Sequence, residues 1–89
     1  MNETELKAQL KREGFKNVFL WRDAPGTFYP EHTHTGVSAH IILEGEMELE
    51  IDDVKHSLRA GDRFDVSDGE VHSARMGPKG CVYLVGGKY

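Results

Sequence analysis

The sequence predicts an all-β domain, a small antiparallel barrel or sandwich preceded by one short α-helix. Three observations carry this. From Phe15 onward, short runs of Val, Ile, Leu, Phe and Tyr are punctuated by turn-forming pairs such as Pro25-Gly26, Asp52-Asp53, Gly61-Asp62 and Asp68-Gly69. The run "EMELEI" alternates strictly, Met47, Leu49 and Ile51 against Glu46, Glu48 and Glu50, as a half-buried strand does. Helix-forming periodicity is confined to the first residues.

In chain order, "NETELKAQLKREG" reads as a short amphipathic helix. Leu6 and Leu10 are four apart, Asn2 and Glu5 form a capping pair, and Gly14 stands where a C-terminal cap belongs. Residues 1–14 are therefore assigned to a helix packed on the barrel and residues 15–89 to the barrel itself, within one domain. "FKNVFLW" is an aromatic-rich strand. Glu44-Gly45 and Pro78-Lys79-Gly80 are read as further turns. In "AHIIL", Ser38, His40 and Ile42 share one face and Ala39, Ile41 and Leu43 the other, and neither is polar enough for open water, so both sides of that strand should be covered. A domain this small has few elements to cover an outer apolar face, and the expectation is a homodimer that buries Ala39, Ile41 and Leu43 against a second copy.

Composition narrows the function. With 89 residues the core is small, and a metal or a partner would help to stabilise it. The net charge of −4 and eleven scattered Lys and Arg provide no basic surface for a nucleic acid. No apolar segment approaches the roughly 20 residues that span a bilayer. The start of the chain has no signal-peptide pattern, and the single Cys81 cannot form an internal disulfide. A cytoplasmic protein with no nucleic-acid or membrane partner is expected, with Cys81 an inert buried thiol in the final strand.

The chemistry is concentrated in "PEHTHTGVSAH", which holds three of the five histidines. His32 and His34 are separated by one residue, so on an extended chain they project from one face about 6–7 Å apart at the backbone. His72 is distant in sequence but follows the turn "SDG", and a barrel brings such strands side by side. Three imidazoles from two strands suit a divalent transition metal (iron, manganese, nickel, copper or zinc) and leave coordination positions free for water or substrate.

These residues resemble the two motifs of the cupin family. The first, Gly-x5-His-x-His-x3-4-Glu-x6-Gly, runs here from Gly26 through His32, His34 and Ser38 to Gly45, with Ser38 in the glutamate's place. The second, Gly-x5-Pro-x-Gly-x2-His-x3-Asn, runs from Gly61 through Ser67, Gly69 and His72 to Met76, with the proline and asparagine replaced. The resemblance spans residues 26–76 and implies a double-stranded β-helix of the jelly-roll kind, with His32, His34 and His72 as metal ligands. His40, two residues beyond Ser38 on the same strand face, is the natural substitute for the missing glutamate; its rival role is a pocket histidine hydrogen-bonded to bound water or substrate. The family hosts oxygenases, isomerases and sensing domains. The resemblance thus implies a metal-dependent barrel that binds or transforms an oxygen-bearing small molecule, as a dioxygenase- or isomerase-like enzyme or as a binding or sensing module.

The remaining polar and aromatic residues have plainer readings. His56 is a packing or surface residue, and Glu31 and Glu70 are turn carboxylates beside ligand histidines. Phe28, Tyr29, Met47, Phe64 and Tyr83 are candidates for pocket wall or for ordinary core.

Overall fold

The computed structural model describes residues 2–88, so Met1 and Tyr89, at the outer ends of the two expected segments, lie outside the described residues. Helix α1 (Glu3–Arg12) is followed by six strands: β1 (Asn17–Asp23), β2 (Phe28–His32), β3 (Ser38–Ile51), β4 (Val54–Arg59), β5 (Arg63–Val66) and β6 (His72–Gly87). Every strand pairing is antiparallel. The sheet runs β1-β6-β3-β4, with β2 added on β6 and β5 on β3. Among the described residues no helix is long and apolar enough to cross a membrane.

Helix α1 begins and ends as its sequence dictates. The Asn2 side chain accepts a hydrogen bond from the Glu5 backbone N–H at 3.1 Å, satisfying one of the orphan donors of the first turn. At the other end Gly14 takes a φ of 99°, its N–H donates to the Lys11 carbonyl, and the Phe15 N–H reaches back to Leu10. That pair of bonds is a Schellman motif, and the apolar contact that accompanies it joins Leu10 to Phe15. The same contact starts a cluster of Leu10, Phe15, Ala39, Ile41 and Leu84, all buried. Arg63 fastens the helix end from outside. Its guanidinium donates to both Glu13 carboxylate oxygens at 2.7–2.8 Å and to Asp65 at 2.9 and 3.0 Å. These bonds hold the Glu13 carboxyl down to about 2.

Two sequence expectations meet the structure here, and the turn assignments among them are corrected. Most of the outer face of β3 is not left open in the single chain: Ala39 is 0% exposed and Ile41 4%, because α1 and Phe15 cover them, while Leu43 is half-buried. Of the three residues expected at a homodimer interface, Leu43 is the one that keeps exposed surface. Glu44-Gly45 and Pro78-Lys79-Gly80 do not end strands. β3 and β6 run straight through them, bending where the pairing register shifts between Ile42 and Met47. Gly45 and Gly80 both have φ near 78°, and they pack backbone to backbone. A methyl group on Gly45 would collide with the Gly80 carbonyl, and one on Gly80 would come within 2.6 Å of the Asp23 carbonyl. Only glycine permits both the positive φ and the close approach.

The bend curls the sheet round a second cluster that includes Ile42, Met47, Leu49, Met76 and Tyr83. This inner core lies under one end of an open cavity, and the histidines stand at that cavity's wall.

Replacing Leu10 tests the covering role of α1. Leu10→Ala should lower stability by about 2–5 kcal/mol, as expected for a fully buried leucine, while leaving metal stoichiometry unchanged. Chemical denaturation monitored by circular dichroism reads the first and elemental analysis the second; unchanged stability would show that the helix does not dock in solution.

Candidate metal centre

β2 ends at His32, and an irregularity in its pairing sets His32 directly across from His72 at the start of β6. The bulge matters because it places two imidazoles from opposite ends of the motif region on one face. His34 lies just past the strand, in a loop tied to the turn that precedes β6. The Gly69 N–H donates to the His34 carbonyl at 2.9 Å, and the Gly36 N–H donates to the Asp68 carboxylate at 2.7 Å. The ring centroids of His32, His34 and His72 lie 4.2–5.0 Å from one another. Their potential ligand nitrogens all fall within 4.8 Å. That spacing would let all three reach one ion at ordinary metal–imidazole bond lengths.

The backbone sets the tautomers. His32 Nδ1 lies 2.6 Å from the Pro30 carbonyl and His72 Nδ1 lies 3.0 Å from the Glu70 carbonyl. A carbonyl only accepts, so each Nδ1 carries the proton and donates it, which leaves the Nε2 lone pair for an ion. Burial, then the neighbouring His72 and His32, hold His34 below its ordinary value. Burial likewise lowers His72 against the opposing bond to the Glu70 carbonyl. Lowered values keep both rings neutral, as ligation requires.

His40 was expected as a fourth ligand. It faces the same cavity but stands outside the group of three. Its Nδ1–H donates to the Phe64 carbonyl at 3.3 Å, and its ring centroid lies 6.3 Å from that of Tyr83. Burial brings it down to about 4, so it is neutral at pH 7 with its Nε2 unprotonated. Ser38, in the glutamate's place, is buried, and its hydroxyl has no hydrogen-bond partner among the described residues. The three histidines fit a divalent transition metal by donor type, spacing and tautomer.

The cavity measures about 260 Å³. Beyond the four histidines its wall is aromatic and thioether, with Phe19, Trp21, Tyr29, Tyr83, Met47 and Met76. None of its lining residues is Asp, Glu, Lys or Arg. Tyr29, Met47 and Tyr83 are therefore wall as well as core, whereas Phe28 is half exposed beneath Arg75, and Phe64 packs on His56. Cys81 is a buried thiol raised to about 11, as an inert core residue should be. Glu70 serves through its carbonyl; its carboxylate accepts from the Ser67 N–H at 3.3 Å. The sequence reading missed Phe19 and Trp21 as wall residues, although both lie on the same face of the noted aromatic strand. It also missed the Pro30, Glu70 and Phe64 carbonyls, which side-chain chemistry does not signal.

The Cupin domain family model matches residues 19–85. Among solved structures the fold is similar to a cupin superfamily protein from Desulfitobacterium hafniense DCB-2 (23% identity, TM-score 0.71, 79% of this chain and 64% of that one). It is also similar to an RmlC-like cupin from Shewanella frigidimarina NCIMB 400 (25% identity, TM-score 0.71, 81% and 65%). The DMSP lyase DddQ from Ruegeria pomeroyi DSS-3 matches with 25% identity and a TM-score of 0.74 over 81% of this chain and 37% of that one. The chain spans just under two thirds of the length of the first of these. No curated protein matches the sequence.

The buried, neutral His40 makes a prediction about acid. Its folded value of about 4 lies below the unfolded value near 6.5. The unfolded chain therefore binds the extra proton first, and stability is lost as pH falls from 6.5 through 4. The metal-free protein should lose roughly 2–3 kcal/mol from this residue between pH 7 and 4.5. Urea titrations across that range should show a shallower loss for His40→Gln, and parallel profiles for the two proteins would refute a neutral buried imidazole.

Proposed function

The chain belongs to the cupin family, and on that premise we propose that it is a metal-dependent cupin whose His32, His34 and His72 hold one divalent transition metal and whose cavity binds an oxygen-bearing small molecule. The observation that carries this reading is the convergence of three imidazoles, two of which have Nδ1 committed to a backbone carbonyl and Nε2 left free. A bound ion of this kind would supply Lewis-acid or redox chemistry and open coordination positions for the ligand.

The chain's own residues divide the remaining work. His32, His34 and His72 fix the ligand's oxygen-bearing end at one wall. His40 Nε2, unprotonated at neutral pH, is available there to accept a hydrogen bond from that end or to take a proton from it. The aromatic and thioether wall displaces water from the rest of the cavity. Of the two roles the sequence leaves open for His40, metal ligand or hydrogen-bonding pocket residue, its place outside the trio supports the second.

Two forms of this reading differ in outcome. The lyase among the similar structures supports a catalytic one, whether of the oxygenase, isomerase or another type. The lack of any charged side chain on the cavity wall supports a binding module, because His40 is then the principal proton-transferring group beside the ligands.

Metal analysis tests the site. Purified protein incubated with zinc, nickel, copper, manganese or anaerobic iron should retain about one equivalent of at least one metal per chain, and His72→Ala should lose most of it. Wild-type protein that stays metal-free in all five would sink the reading. Oxygen uptake by the iron-loaded protein in the presence of small oxygen-bearing compounds separates an oxygenase from a binding module.

A further inference from the structure

One group of polar side chains beside the cavity has no part in the metal site. Asp23, the last residue of β1, accepts three hydrogen bonds from cavity-lining residues on three strands. Tyr29 OH donates to Asp23 Oδ1 at 2.8 Å, Tyr83 OH donates to Oδ2 at 2.8 Å, and Trp21 Nε1–H donates to Oδ1 at 3.1 Å. Trp21 Nε1 is also within 3.3 Å of the Tyr29 oxygen. Burial and the nearby carboxylate push both phenols up, so both stay protonated and both protons are spent on Asp23.

The consequence for a ligand is one of polarity. Tyr29, Tyr83 and Trp21 can show the cavity only ring surface or an oxygen lone pair, because each of their donors already faces Asp23. No Lys or Arg lines the cavity to offset this. Tyr29 is opposite Ala74, which is two residues along β6 from His72, so this donor-free wall begins about 7 Å from the histidines. An anionic group on the body of a ligand would meet acceptors there with the Asp23 carboxylate behind them, whereas an apolar or aromatic body would meet Phe19, Trp21 and Met76.

We propose that the cavity selects a small ligand with one oxygen-bearing head for the metal and an uncharged, apolar or aromatic body, and that Asp23 is the specificity-determining residue that excludes a second anionic group. This rests on the metal-site reading above. The volume of about 260 Å³, below the roughly 300–1,000 Å³ of drug-sized sites, sets the scale at a single ring or a short chain. Asp23 acts through the hydroxyls it holds, and it need not touch the ligand.

Two probes of nearly equal shape isolate the charge: 4-nitrobenzohydroxamate and 4-carboxybenzohydroxamate share a metal-binding head and differ by one negative charge at the far end. Zinc-loaded protein titrated by calorimetry should bind the nitro compound at least tenfold more tightly. In Asp23→Asn the side chain has one acceptor for three donors and carries no charge. A phenol proton is released toward the cavity, and the preference should shrink severalfold. Tyr83→Phe, which leaves the carboxylate charged and less satisfied, should keep a preference at least as large and serves as the second variant should Asp23→Asn not fold. Equal or tighter binding of the carboxylated probe by the wild type, no binding of either probe, an unchanged preference in folded Asp23→Asn, or a lost preference in Tyr83→Phe would overturn the proposal. Failure to take up zinc or any other metal would instead strike the metal site itself, and the two failures are separated by measuring metal content before each titration.

Discussion

The long antiparallel pairing of β3 with β6 is the constraint on which the other features depend. Its two halves meet at the Gly45–Gly80 contact, where the backbones approach too closely for any side chain, and the bend made there turns a flat ribbon into a curved wall. On one side of the bend, β6 brings His72 opposite His32; on the other, Tyr83 and Val85 pair with Ile42 and His40. The same strand thus supplies a candidate metal-ligand position, part of the inner core and the wall that faces His40. β1, which adds Phe19, Trp21 and Asp23, pairs in the sheet with β6 alone among the described residues. A change at the bend would therefore be felt at the histidines and at the Asp23 node together.

The faces of β3 show how a small chain meets the demand for two covered sides. The inner face is covered by strands curling round it. The outer face is covered by a ten-residue helix whose intrinsic stability is marginal at that length, so its helicity depends on docking Leu10 and Phe15 over Ala39 and Ile41. The Arg63 fork onto Glu13 and Asp65 is solvent-accessible and adds register more than energy, because exposed ion pairs are screened.

Much of this was legible in the sequence, for a definable reason. Regular periodicity and cap chemistry are local, so the Asn2 to Gly14 helix and the Met47-Leu49-Ile51 face could be read directly. The spacing of His32, His34 and His72, supported by the glycines around them, identified the trio. What was not legible depended on tertiary context. Glu44-Gly45 has the composition of a turn, and only the proximity of Gly80 makes it a bend within a strand. The apolar outer face of β3 was recognised correctly, but sequence cannot say whether a helix of the same chain or another copy covers it. The carbonyls of Pro30, Glu70 and Phe64 orient histidines by backbone position, which no residue type announces.

The replacement of the family's glutamate by Ser38 governs the electrostatics of the cavity. Imidazole ligands would leave the full charge of a divalent ion uncompensated, and the buried Ser38 hydroxyl adds none. His40, held neutral by burial, does not oppose that charge. On the proposed reading an anionic oxygen on a ligand would best complete the site, since it would bring the missing negative charge to a place of low polarity, where the attraction is strongest. Beyond that first oxygen the proposed demand reverses, because Asp23, behind the wall, consumes the donors of Tyr29, Tyr83 and Trp21. The two ends of the cavity thus ask for opposite things, and a molecule that carries one polar head on an uncharged body satisfies both.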